Sequence, residues 1–373
     1  MTIFTNARLV LSDEVVEGGL SVENGIISSL DTPSDGYDLE GDYLMPGLID
    51  LHTDNLERQA QPRTNARWPS RSALLIHDAQ CAAAGITTVF DALCLGDVGF
   101  EKERNDTFYN GYADLAALAP TGALKVEHLL HLRCELPAEE MPGMLQHVLN
   151  DKLVRMLSIM DHSPGIGGQY KDEERYRRMR AAEGHDNDVI NNTIAEMIRS
   201  HHANYTPNRS WVIAQAKTRG LPLASHDDAT REDILRNEAD GISIAEFPVS
   251  MEAAKEAKAR NMRVIAGAPN IVRGGSHSGN VSVMELIREK LLDALASDYV
   301  PASMLEAAMT TVVQGALSMP HAVALITSGP ADIARLTDRG RIAPGQRADL
   351  IQVRFYGELP VIRSVWREGQ RIA

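Results

Sequence analysis

Over residues 1 to 46, apolar and polar positions alternate in short runs, IFTNARLVL, VVEGGLSVE and GIISSL, broken by Asn24-Gly25 and by Pro33-Ser34-Asp35-Gly36. Period two with this turn chemistry predicts a small sheet. From Leu48 the pattern changes to apolar strand-like runs separated by longer helix-spaced stretches, as in βα units. The runs are Leu48 to Asp54, Ile86 to Leu93, Glu127 to Glu135, Met156 to His162, Leu221 to Asp228, Ser243 to Pro248, Arg263 to Asn270 and Leu295 to Tyr299. Eight such units predict an α/β fold, a (β/α)₈ or TIM barrel over residues 47 to 340, with its site at the carboxyl ends of the strands. The tail, residues 341 to 373, returns to short strands and turns. Both termini are therefore expected to build one small β-sandwich domain beside the barrel.

Two stretches depart from the repeat. Residues 165 to 208 form a long charged insertion with helical spacing, expected as a solvated helical excursion placed where a lid over the mouth would sit. His201 and His202 are expected on its surface. Residues 307 to 326 contain no Asp, Glu, Lys or Arg, but Gln314, Gly315, Pro320 and His321 interrupt them. Two buried helices are predicted, and no membrane span.

Charge and cysteine content narrow the class. Lys plus Arg total 37 against 51 Asp plus Glu, a net charge of -14, which disfavours nucleic acid or an anionic membrane as a partner. An anionic ligand must find its cations locally. The N-terminus lacks the apolar core of a signal peptide, so a cytoplasmic location is expected. Cys81, Cys94 and Cys134 are widely spaced without a CxxC pair and are expected as core thiols.

Chemistry gathers at the strand ends. In LIDLHTDNLE, Asp50, His52 and Asp54 share one face, because side chains two apart on a strand point the same way. His131, Arg133 and Glu135 alternate likewise on the third strand. The fourth ends in Asp161-His162, the fifth in Ser225-His226-Asp227-Asp228, the sixth carries Glu246, and the eighth ends in Ser297-Asp298. Any one of these is more often a hydrogen-bonded scaffold group. Together, His52, Asp54, Glu135, His162, His226 and Asp298 offer nitrogen and oxygen ligands for one or two divalent ions such as Zn²⁺, Mn²⁺ or Fe²⁺. Glu135, with two oxygens, could bridge a pair, and Asp298 is the candidate catalytic base for a metal-activated water. Arg133, Asp228 and Glu246 are assigned to substrate contact. The stretch APNIVRGGSHSGN adds Asn270, Arg273, Ser276, His277 and Ser278 around paired glycines, a plausible phosphate-holding loop after strand seven. There is no GxxxxGK[ST] loop.

The strings PGLIDLHTDNLE, ITTVFDA, HLRCELP, SIMDHSPG, LASHDDAT, AEFPVSMEAA, GAPNIVRGGSHSGN, LASDYVPAS and RGRIAPGQRADL span nearly the whole chain. Through them the sequence resembles the amidohydrolase superfamily, and within it the branch that acts in phosphonate catabolism. The resemblance implies a metal-dependent hydrolase that cleaves α-D-ribose 1-methylphosphonate 5-triphosphate to the 5-phosphate and pyrophosphate. Its partner would be that small molecule, and by analogy the enzyme would be a homodimer. The superfamily usually has HxH on strand one and a histidine after strand six, where this chain has His52-Thr53-Asp54 and Glu246. Those departures speak against a routine amide hydrolase. The alternatives are hydrolysis of a C–N bond, as in deacetylation of N-acetylglucosamine 6-phosphate, and a metal-free scaffold.

Overall fold

The computed structural model describes residues 1–31, 35–63, 66–99, 104–166, 168–276 and 279–373. Eight parallel strands follow one another around the barrel: β1 (Leu48–Thr53), β2 (Ile86–Leu95), β3 (Glu127–Glu135), β4 (Val154–Met160), β5 (Leu223–His226), β6 (Ile244–Glu246), β7 (Arg263–Gly267) and β8 (Ala294–Ala296). All ten residues of β2 are buried, as befits a strand covered on both faces. Gly47 leads into β1 where a Cβ would stand 2.4 Å from Thr87 Oγ1, so no larger residue fits between the first two strands.

Closure between β8 and β1 is partial. It rests on the bridge from Thr53 to Asp298, with Asp298 N donating to His52 O at 3.0 Å. Lower down, the Asp50 carboxylate accepts from Ser297 N at 3.0 Å and fills the seam. Burial pushes Asp50 up to about 6. Asp50 is thus a structural strut, and the mouth of the barrel is where the last strand meets the first.

The termini share one sheet of eight strands. Tyr43–Pro46 pairs antiparallel with Leu350–Tyr356, which joins the two ends of the chain. Phe4 and Trp366 lie on strands well apart in that sheet, yet their ring centroids are 4.9 Å apart. The sheet therefore folds over itself into a sandwich around Leu9, Leu20, Ile27 and Leu44. Cys81, Cys94 and Cys134 are buried free thiols, and burial pushes Cys94 up to about 12.

Three local expectations change. The seventh strand stops at Gly267, and Ala268–Val272 is a short helix, because Pro269 in its first turn has the fixed φ a helix start accepts. The fifth strand stops at His226, because Asp227 turns left-handed at φ 57°. The insertion forms helices Glu173–Ala182 and Asn187–Arg219, capped by Asp172 and Asp186, with a solvated outer face as expected and a buried inner face that was not. Tyr176, Ile190, Ile194 and Met197 bury a core of their own against the barrel mouth. His201, expected at the surface, is half-buried and pairs with Asp161 at 3.0 Å, whereas His202 is exposed. The uncharged stretch gives helices Ser303–Val313 and Met319–Ala324. No helix among the described residues is long and apolar enough to cross a membrane.

Candidate active site

Left-handed backbone marks the mouth. Asp227 after β5, Phe247 after β6 and Asp298 after β8 have φ of 57°, 52° and 57°. An aromatic residue there costs about 1–3 kcal/mol and persists only where its surroundings hold it. Phe247 is held between two imidazoles, with ring centroids 4.8 Å from His52 and 5.5 Å from His226. The cavity beneath, about 320 Å³, is lined among others by His52, Asp54, Arg133, Glu135, His162 and Asp298.

Glu246 organises the two histidines. Its carboxylate is fully buried and accepts from His52 Nδ1 at 3.0 Å and His226 Nδ1 at 2.9 Å. A carboxylate only accepts, so each Nδ1 carries a proton and each Nε2 is left for the cavity. The two rings stack at 5.8 Å. His52 Nε2 then stands 3.5 Å from Asp54 Oδ1, and His226 Nε2 3.8 Å from Asp227 Oδ2. Those separations are long for hydrogen bonds, but two ligands each about 2.0–2.2 Å from one ion stand roughly 3 to 4 Å apart. Two donor groups result, His52 with Asp54 and Asp298, and His162 with His226 and Asp227. This donor set fits divalent metal ions. Burial opposes charge on His52, yet Glu246 and Asp54 together push it up to about 10, so these carboxylates favour a cation at Nε2, whether a proton or a metal ion that replaces it.

Two carboxylates of the first group differ in their environment. Although burial opposes ionisation, the Arg133 guanidinium, 2.7 Å from Asp54 Oδ1, holds Asp54 well below the usual carboxylate range. Burial and the neighbouring Asp54 charge instead push Asp298 up to about 6. One carboxylate stays ionised and the other can exchange a proton near neutrality.

The other expected residues divide. Both Glu135 oxygens are engaged by His162, one at its backbone N and one at Nδ1, so Glu135 orients His162. Glu246 lies behind the histidines and does not line the cavity, which removes it from the substrate contacts. Asp228 is likewise displaced: it faces a second cavity of about 210 Å³, where Ser225 and Asn237 donate to it. Its burial pushes it up to about 7. Arg273 and Ser276 do line the main cavity, with Arg273 NH1 donating to Tyr299 Oη at 3.3 Å. Asn270 lines it too, while accepting from Val283 N at 3.0 Å and so bracing the loop. His277 and Ser278 lie outside the described residues.

Other cavity residues were absent from the expected set: Asp227, Arg104, Tyr170, Tyr176, Arg180 and Tyr299. Asp227 and Tyr299 adjoin strand ends and carried the same signal as their neighbours. Arg104 and Arg180 sit on helices past the strands, where period-two alternation is silent.

The amidohydrolase family model matches residues 59–372. Over 377 aligned residues the chain is 41% identical to the α-D-ribose 1-methylphosphonate 5-triphosphate diphosphatase of Escherichia coli (strain K12), covering 99% of this chain and 100% of the relative. Among solved structures, 5-methylcytosine deaminase from Klebsiella pneumoniae aligns with TM-score 0.66 at 13% identity, over 100% of this chain and 97% of that one. N-acetylglucosamine-6-phosphate deacetylase from Pasteurella multocida aligns with TM-score 0.62 at 13% identity, over 99% of each chain. These two likenesses speak to the barrel and sandwich alone.

Proposed function

Since this chain belongs to the amidohydrolase family, we propose that it hydrolyses α-D-ribose 1-methylphosphonate 5-triphosphate to the 5-phosphate and pyrophosphate. The observation that carries the reading is end-to-end identity of 41% with a diphosphatase of that substrate. The cavity chemistry agrees with it. Arg104, Arg133, Arg180 and Arg273 stand around one cavity, a density of cations that suits a polyanionic substrate.

One or two divalent ions, Zn²⁺, Mn²⁺ or Fe²⁺, would be held by His52, Asp54 and Asp298 and by His162, His226 and Asp227. Such an ion, when bound, acidifies water and offsets phosphate charge. Glu246 keeps both Nε2 atoms turned to the cavity, Glu135 does the same for His162, and Arg133 keeps Asp54 ionised. Asp298 takes a proton from the attacking water. The new oxygen bonds to the α-phosphorus, the bond from that phosphorus to the bridging oxygen breaks, and pyrophosphate departs with the electron pair. Arg273 and the glycine-rich turn at Gly274–Ser276 supply donors for the charge that builds on the leaving group.

The test is phosphorus NMR of the products formed in ¹⁸O-labelled water with added Mn²⁺ or Zn²⁺. Label confined to the 5-phosphate is expected. Label in pyrophosphate would move the attack to the β-phosphorus. Deacetylation of N-acetylglucosamine 6-phosphate without pyrophosphate release would replace the activity altogether.

A further inference from the structure

The main cavity has two walls of different chemistry. One carries the hydrogen-bond donors: Gly275, Ser276, Asn280 and Arg273 line it, with Pro269, Val281, Val283 and Leu286 beside them, and the Arg273 guanidinium donates to the Tyr299 hydroxyl one residue beyond Asp298. The other is built by the insertion and the turn after β2, and it sets apolar side chains around Arg180, with Asp97 and Arg104 lining the cavity from the β2 side. Val98, Tyr176 and Met197 line it, and Arg180 stands among them. Tyr176 Oη lies 3.6 Å from Met197 Sδ, and the Arg180 guanidinium lies over the Tyr176 ring at 5.0 Å. Arg180 is only 8% exposed and also donates to Glu183 at 2.9 Å, which fixes its plane. A Cβ at Gly99 would come within 2.8 Å of Met197 Sδ, and Gly99 holds φ 88°, so the turn is shaped to close on the insertion.

The two walls lie on different sides of the metal-ligating groups. The apolar wall joins them through His162, whose ring is 5.7 Å from Tyr170, itself 5.0 Å from Tyr176. The polar wall joins them through Asp298 and Tyr299. The two ends of the proposed substrate also differ. A pyrophosphate leaving group presents only oxygen and is served by N–H and O–H donors. A methylphosphonate presents anionic oxygens and one methyl group, and is served by a guanidinium beside an apolar surface.

We infer that Arg180, with Val98, Tyr176 and Met197, forms the subsite that binds the methylphosphonate end, and that the insertion sets specificity for the group on C1 of the ribose. The inference rests on the activity proposed above and names which end of that substrate lies where. The orientation puts the scissile α-phosphorus between the walls, beside His52, Asp54 and Asp298.

The test compares pyrophosphate release from α-D-ribose 1-methylphosphonate 5-triphosphate and from D-ribose 5-triphosphate. Arg180→Met is expected to lower the ratio of the two kcat/KM values by about 10- to 100-fold, chiefly through KM, the loss of a charge-assisted contact. Val98→Phe, which fills the methyl site and leaves the Arg180 to Glu183 pair alone, is expected to lower the same ratio. An unchanged ratio in both variants overturns the subsite, even if both rates fall, since Arg180 would then serve the triphosphate or the packing. If the wild-type protein releases pyrophosphate from neither compound, the activity is what has failed. Calorimetry with α-D-ribose 1-methylphosphonate then decides the subsite: weaker binding by Arg180→Met supports it, and equal binding removes it.

Discussion

Two places in this barrel use one carboxylate to tie two histidines, and only one of them faces a cavity. At the mouth, Glu246 accepts from His52 and His226. Between the helix Ser70–Ala83 and strands β2 and β3, Asp91 accepts from His77 Nε2 at 2.7 Å and His128 Nδ1 at 2.8 Å. Their heavy-atom geometry is nearly the same. The difference is the second nitrogen of each ring. In the buried cluster Asn55 Nδ2 stands 2.9 Å from His77 Nδ1, and Asp78 accepts from His128 Nε2 at 3.3 Å. Every ring nitrogen there has a protein partner, so the cluster pins a helix to the barrel. At the mouth the Nε2 atoms face carboxylates at distances that suit a shared cation better than a hydrogen bond. Whether a His–carboxylate group can hold a metal is decided by what its outer nitrogens meet.

The largest effect that would sharpen this contrast is expected from Asp298→Asn. Turnover should fall about 10³-fold or more, while the melting temperature changes little, because the amide keeps the shape and loses the proton acceptor. An active Asp298→Asn protein would remove Asp298 from proton transfer. Next comes Asp91→Asn in the buried cluster, expected to cost about 3–5 kcal/mol in denaturant unfolding by breaking a buried charge pair. Metal content should be unaffected; loss of metal from this variant would erase the distinction between the clusters.

The same cluster carries a pH signature. Burial opposes charge on His128, but Asp91 and Asp78 push it from 6.5 up to about 9. A pKa raised by folding adds stability that is full below about 6.5 and is lost as pH rises through about 9. Chemical denaturation of wild type and His128→Asn should therefore differ most near pH 6, by about 3 kcal/mol more than at pH 10. A constant difference would mean that His128 is neutral in the fold.

Glu246→Gln bears on the mouth. An amide cannot accept from two Nδ1–H groups as the carboxylate does, so metal affinity measured by competition with a chelator should weaken about 10- to 100-fold. Unchanged affinity would show that Glu246 does not set the ring orientation. The smallest effect is expected from Arg273→Gln, a rise in KM of about tenfold with kcat nearly retained, because Arg273 is exposed and acts on the polyphosphate through charge. A larger loss in kcat than in KM would place Arg273 at the reacting phosphorus.

Much was legible along the chain because period two is a backbone property. His52 and Asp54, or Arg133 and Glu135, must share a face of a strand whatever packs around them. The eight apolar runs, the turn-rich termini and the density of Asp, Glu and His at strand ends follow from the same local rule, and together they named most of the mouth. What alternation could not show is which oxygen a given nitrogen meets. Glu246 and Asp228 have the same strand-end signal as His226, yet one lies behind two imidazoles and the other faces a different cavity. Arg180, Tyr176 and Met197 come from an insertion whose charge suggested solvent, and its inward face exists only because the two helices pack on the mouth. His77, Asp91 and His128 were invisible for the same reason, since one lies on a helix and the others on strands. Local sequence determined the elements and the chemistry each could present, because those depend on near neighbours. The pairing of donors across separate strands, and so the split between a cluster that braces and a cluster that can bind, was decided by barrel closure, which joins residues far apart in the chain.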